Sequence, residues 1–345
     1  MSSRSLNRRT FLARTAAATL AAPFIARSAE TSPVLGSGDF RYRVVPGWGQ
    51  LGAATPVANC HGIVCDREGH LILFTDNVAN NVIVYDTAGR LVHKWGTTFP
   101  GAHGLSLVVE GGREVLYLTD LKRSRVFKTT TSGELLDEWG WPAATGKYTK
   151  EADYKPSWTL HLPDGGFFIL EGYGRDYIAR HGADGKFQKL FGGAEGGIVH
   201  WGPHGGMVDA RAGADPTLLI AMSDQQYLLR LDLDGKKLAQ TDLPGGNPRQ
   251  IRRVGNHLFV AHLADNWPKD RNSRGFVSVL DANLRVVANI GGTAPEHGED
   301  GRLRPMRSIG ETFLHPHDLC VDREGSLYVA QFASGNTYPI KLERV

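Results

Sequence analysis

Four histidines of this 345-residue chain occupy the same place in a repeated unit, and imidazole is the commonest protein ligand for metal ions. His61 opens "HGIVCDREGHLILFTD", His103 opens "HGLSLVVEGGREVLYLTD", His204 opens "HGGMVDARAGADPTLLIAMSD" and His317 opens "HDLCVDREGSLYVAQF". Ser157 and Arg249 fill that place in two further units. A lone histidine is best read as a surface or hydrogen-bonded residue. Four of the thirteen in one register invite another reading, because three imidazoles with an open fourth position make a catalytic zinc site. Asp318, next to His317, adds a carboxylate for an oxygen-preferring ion or for support of a ligand.

A second register holds Asp76, Asp120, Glu171, Asp224, His262 and Gln331, each at the exit of the unit's second apolar stretch. For Asp120 and Asp224, tying turns together is as good a role as chemistry. Asp76 and Glu171 suit a channel mouth equally well. Tyr173 follows in "LEGYGRDY", and a phenol beside a metal acts as a general base once its pKa falls.

These residues need elements to bring them together. The unit reads as a loop with Pro or His, a short apolar strand, a D-x-x-G-like turn and three more short strands, the last ending in an aromatic or aliphatic residue plus Gly. Six copies recur at spacings of 42–68 residues. The sixth, "HDLCVDREGSLYVAQFASGNTYPIKLERV", stops after its third strand, while "RYRVVPGWG" at 41–49 has the outline of fourth strands such as "RLVHKWG". A last strand supplied by the opposite end of the chain closes a ring. The expected fold is therefore all-β, a six-bladed β-propeller whose first strands line a central channel. No stretch reads as a long amphipathic helix.

The repeats resemble NHL repeats. "PGAHGLSL", "WGPHGG", "LEGYGRDYIARHGADGKF" and "HPHDLCVDREGSLYVAQF" resemble the peptidyl-α-hydroxyglycine α-amidating lyase family, over residues 41–345. That resemblance implies zinc, or another divalent transition metal, on His103, His204 and His317. It also implies calcium on the backbone carbonyls of Ile63 and Leu105 and the carboxylate of Asp318, with Tyr173 as the catalytic tyrosine. The implied reaction breaks the N–C bond of a carbinolamide, giving an amide and glyoxylate, with the metal polarising the substrate and tyrosine moving the proton. Two positions depart from the family. Asp76 stands where an arginine is expected to meet a substrate carboxylate, which an aspartate does not pair with, so Asp76 and His61 are expected as catalytic residues that tune or replace that substrate contact. His61 adds a fourth imidazole, either a further ligand or a base beside an open position. Arg175 and Arg249 are the residues available to restore the positive charge.

The opening "MSSRSLNRRTFLARTAAATLAAPFIARSAE" places Arg8 and Arg9 before an apolar run of 12 residues, Thr15–Ala26. That run is short of the ~20 needed to span a bilayer. Residues 1–29 are expected to be a twin-arginine export signal read by the export machinery. A single propeller domain at 30–345 would then be delivered to the periplasm or the medium, with no stable membrane insertion. Without the signal the chain carries 34 basic and 36 acidic residues, which gives no basis for nucleic-acid binding. Three cysteines exclude a disulfide framework and leave Cys65–Cys320 as the bridge to test. A closed ring buries its core without a partner, so a monomer is expected. The reading is an exported metal-dependent lyase acting on a small or peptide-derived substrate. The alternatives are a metal-dependent hydrolase such as a lactonase, and a non-catalytic binding propeller.

Overall fold

The computed structural model describes residues 32–345 apart from 212, 214, 266–268 and 271; the expected signal at 1–29 lies outside the described residues. Six antiparallel sheets form the expected ring. The first blade consists of Cys60–Cys65, Leu71–Thr75, Val82–Tyr85 and Leu91–Trp95. The inner strands of the following blades are Ala102–Glu110, Trp158–His161, Pro203–Asp209, Pro248–Val254 and Pro316–Val321. Each packs on the inner strand of the next blade, and Pro316–Val321 packs back on Cys60–Cys65. Inner and second strands are almost wholly buried, while fourth strands such as Leu91–Trp95 are largely exposed, as radial sheets require. Among the described residues the only helical turns are short 3-10 segments. No helix there is long and apolar enough to cross a membrane.

The turns follow from the D-x-x-G pattern. The Asp66 side chain accepts a hydrogen bond from the His70 N–H at 2.7 Å, and Gly69 takes the positive φ of 92° that favours glycine. Asp86–Gly89 and Asp322–Gly325 repeat the arrangement.

Closure runs through the N-terminal segment, as expected. Phe40–Val44 pairs antiparallel with Ile340–Arg344, in the register Tyr42↔Arg344 and Val44↔Leu342. The structure adds a strand that the sequence pattern did not suggest. Val34–Ser37 pairs with Phe40–Val44 and makes the last blade five-stranded. Tyr42 anchors the closure by packing with Phe259, Leu319 and Leu342 in a core shared by the fifth and sixth blades. The three thiols are free. The Cys65–Cys320 bridge is not formed, and the Cys65 Sγ lies 3.6 Å from the Asp66 carbonyl.

Candidate metal centre

The four histidines meet in the channel, each from within an inner strand rather than from the loop before it. The difference has a physical cause. Strand register slips by an extra residue between Cys60 and Gly62, between Ala102 and Leu105, between Pro203 and Gly205, and between Pro316 and Asp318. Each histidine therefore sits in a β-bulge, a device that re-aims a side chain out of the regular alternation. The glycine after three of them is a packing requirement. A Cβ on Gly62 would lie 2.4 Å from Leu105 Cβ, one on Gly104 2.4 Å from the Ser157 carbonyl, and one on Gly205 2.4 Å from the Arg249 carbonyl. Only glycine lets each strand approach the next blade this closely.

That approach orients the rings. His103 Nδ1 donates to the Ser157 carbonyl at 2.8 Å, His204 Nδ1 to the Arg249 carbonyl at 3.1 Å, and His317 Nδ1 to the His61 carbonyl at 2.7 Å. In each case the acceptor is the same register residue one blade further on. A carbonyl only accepts, so Nδ1 carries the proton and Nε2 keeps its lone pair. Metal-binding histidines are commonly held in this way through their second ring nitrogen. His61 lacks such a tether, and its buried Nδ1 has no hydrogen-bond partner. His204 Nε2 is also buried without one, at a desolvation cost of about 1–3 kcal/mol unless a ligand meets it.

The rings touch. Centroids lie 4.9 Å apart for His61–His103, 4.7 Å for His61–His317, 4.8 Å for His103–His204 and 4.7 Å for His204–His317. The ligand nitrogens of His61, His103 and His317 all fall within 4.8 Å of one another, a group that could hold a metal ion. Nitrogen spacing thus favours a trio containing His61, whereas the tethering favours one containing His204. Burial pushes all four imidazoles below their ordinary range, His61 to about 3, so they stay neutral and available as ligands.

Tyr173 joins the cluster, its hydroxyl 3.1 Å from His103 Nε2 and its ring edge-on to Trp201. Burial pushes its phenol up, and the Arg249 guanidinium draws it back down. Arg249 is buried, and its Nε has no hydrogen-bond partner. Of the two candidate arginines it is the one at the site, since Arg175 is exposed. An open cavity of about 340 Å³ is lined by His61, Tyr173, Asp76, Lys155 and Phe332. Asp76 reaches that cavity, but both its oxygens are engaged by Asn59, through the backbone N–H and through Nδ2, each at 2.9 Å.

The acids and the glutamine in the rest of the second register are engaged by backbone or side-chain donors. Asp120 accepts from the N–H groups of Gly101, Lys122 and Arg123. Glu171 accepts from those of Lys155 and Arg175. Asp224 accepts from Asn247, and Gln331 from the Leu314 N–H. His262 stacks on Phe276 at 4.6 Å.

The calcium expectation at Ile63, Leu105 and Asp318 does not fit the side chains present. Asp318 accepts from the Ile63 backbone N–H at 2.9 Å and from the Leu319 N–H at 2.8 Å. Arg252 donates to it twice, through Nε at 2.8 Å and Nη2 at 2.6 Å, and Nη2 also reaches the Leu105 carbonyl at 3.1 Å. A guanidinium sits among the oxygens that a calcium ion would need. Nothing in the sequence register marked Arg252, which lies on the inner strand of a blade that contributes no histidine to the cluster.

Fold and site together define a six-bladed propeller with a buried imidazole cluster in its channel. No family model matches the chain, and none of the curated proteins matches it. Among solved structures it is similar to a catalytically inactive virginiamycin B lyase from Staphylococcus aureus with quinupristin. Identity there is 13% and the TM-score 0.55, over 91% of this chain and 100% of that one. It is also similar to a protein of unknown function from Bacteroides thetaiotaomicron, at 11% identity and a TM-score of 0.56, over 84% of this chain and 70% of that one. At these identities the likeness concerns the fold.

Proposed function

We propose that this propeller is a metal-dependent lyase that cleaves the carbon–nitrogen bond of a small carbinolamide bearing a carboxylate. The observation that carries the reading is the tether shared by His103, His204 and His317, which leaves Nε2 as the ligand atom on three imidazoles whose rings pack together. A donor set of imidazoles suits zinc and neighbouring divalent transition metals. Such an ion supplies Lewis-acid polarisation of a substrate oxygen. Tyr173, within hydrogen-bonding reach of His103, would act as a proton relay, passing its own phenolic proton to the departing amide nitrogen as it takes the carbinol O–H proton. The C–N bond breaks as the carbinol carbon becomes an aldehyde carbonyl. Arg249, a buried cation beside the cluster, pairs with the substrate carboxylate in place of Asp76. His61 lines the approach as an untethered imidazole.

The virginiamycin B lyase that shares this fold is itself a lyase, which is in keeping with lyase chemistry on such a scaffold. The nitrogen spacing favours a second version of the ligand set, with His61 replacing His204. We assign delivery by twin-arginine export and action outside the cytoplasm as a monomer to the same proposal, on the arginine pair and short apolar run at the start of the chain. The direct test is glyoxylate release from an N-acyl-α-hydroxyglycine by zinc-loaded protein. Turnover that disappears on chelation supports the lyase reading. Metal-loaded protein that leaves this substrate intact but hydrolyses a lactone would replace it with the hydrolase reading.

A further inference from the structure

We infer that Arg252 is an internal cation that replaces a calcium ion in the channel and positions the strands carrying the imidazole cluster. The residues it ties together stand one or two places beyond the histidines. Ile63 follows His61, Leu105 follows His103, and Asp318 follows His317. Arg252 comes from the fifth blade, binds Asp318 of the sixth through Nε and Nη2, and reaches the Leu105 carbonyl of the second. Asp318 in turn takes the Ile63 N–H of the first blade. The guanidinium also lies 5.6 Å from the ring centroid of Trp158 in the third blade, a cation–π distance. Arg252 and Asp318 together therefore link five of the six blades, on strands that carry or adjoin the histidines.

The acceptor count explains why a metal is not needed there. A carboxylate offers about four lone-pair positions. Asp318 uses four, two on Arg252 and one each on the Ile63 and Leu319 N–H groups. Calcium requires six to eight oxygen ligands, and here the carboxylate has no free lone pair and the Leu105 carbonyl already faces a cation. The Asp318 side chain is fully buried, so its charge needs a partner, and the guanidinium is that partner. The pair also bounds the site from below. Further along the same strands the channel opens at its other end into a separate cavity of about 660 Å³, lined by Cys65, Leu107, His161 and Val208, with Arg252 on its wall.

The positioning role rests on the metal reading of the histidine cluster, whereas the replacement of calcium does not. The test therefore has two arms. In the first, calcium is titrated to millimolar concentration into wild-type protein prepared without it, with thermal unfolding and elemental analysis as readouts. The expected result is an unchanged Tm and no bound calcium; a rise in Tm or one retained calcium per chain would overturn the inference. In the second, cobalt(II) is titrated into wild type, Arg252→Met and Arg252→Lys at a temperature where each is folded, and its visible spectrum is followed. Loss of the clamp is expected to weaken cobalt binding about 10–100-fold in Arg252→Met, with part of the loss recovered by Arg252→Lys. Equal affinity in all three would sink the positioning role. If Arg252→Met does not fold, wild type against Arg252→Lys decides on the same readout. A wild type that binds no cobalt refutes the metal reading, and the calcium arm still judges Arg252.

Discussion

At the scale of single residues, the chemistry divides between groups the sequence made visible and groups it did not. The four histidines and Tyr173 could be read because each recurs in a fixed place or within a recognisable short motif. The tethers on three of the imidazoles could not, since each acceptor is a backbone carbonyl 45 to 256 residues away. Arg249 occupies the histidine register and so was visible as a candidate, but only its burial and unpartnered Nε give it a role. Two substitutions follow. Tyr173→Phe removes the proton carrier without removing a metal donor, so kcat should fall about 10²–10⁴-fold while metal content stays at the wild-type level. Metal lost together with activity would make Tyr173 a structural support. Arg249→Met should raise KM about 10–100-fold for a substrate with a free carboxylate and leave KM for the corresponding amide unchanged.

At the scale of strands, the bulge and the glycine after it do the positioning. The repeated His-Gly dipeptide was legible as a pattern, but its reason was not. The reason lies in the neighbouring blade, whose backbone leaves no room for a Cβ. The fourth blade's inner strand ends in another arrangement hidden in sequence, where Asp209 accepts from Arg211 Nε at 2.9 Å and from Arg230 Nη2 at 3.0 Å. Burial works to raise the Asp209 carboxyl, but the two arginines hold it at about 2, below its ordinary 3.8. A depressed acid stabilises the fold above its unfolded pKa, and that contribution is lost as pH falls through the folded one. Thermal stability should therefore drop between about pH 4 and pH 2 by more in wild type than in Asp209→Asn. Parallel curves for the two proteins would assign acid sensitivity elsewhere.

At the scale of the whole molecule, six units of one pattern and a strand borrowed from the other end of the chain were enough to specify a closed ring. The added strand Val34–Ser37 escaped notice because it is only four residues long and contains Gly36. That glycine holds a φ of 88° in a tight hairpin, and a Cβ there would meet the Phe40 carbonyl at 2.0 Å. Closure makes the two ends of the chain interdependent. Tyr42→Ala, which empties a site shared by the fifth and sixth blades, should cost about 3–5 kcal/mol in a urea melt. It should also loosen the sixth-blade strand that carries His317 and Asp318. A cost near zero would mean that the ring holds without its terminal latch.

The central claim is that tethered imidazoles from separate blades hold one metal ion. Elemental analysis of wild type, His103→Ala, His204→Ala and His61→Ala after zinc reconstitution tests it most directly. The account predicts about one zinc per chain in wild type and in His61→Ala, and none in His103→Ala or His204→Ala. Zinc kept by His204→Ala and lost by His61→Ala would transfer the site to the alternative trio. No zinc in the reconstituted wild type would contradict the account and leave four histidines as the polar lining of a channel.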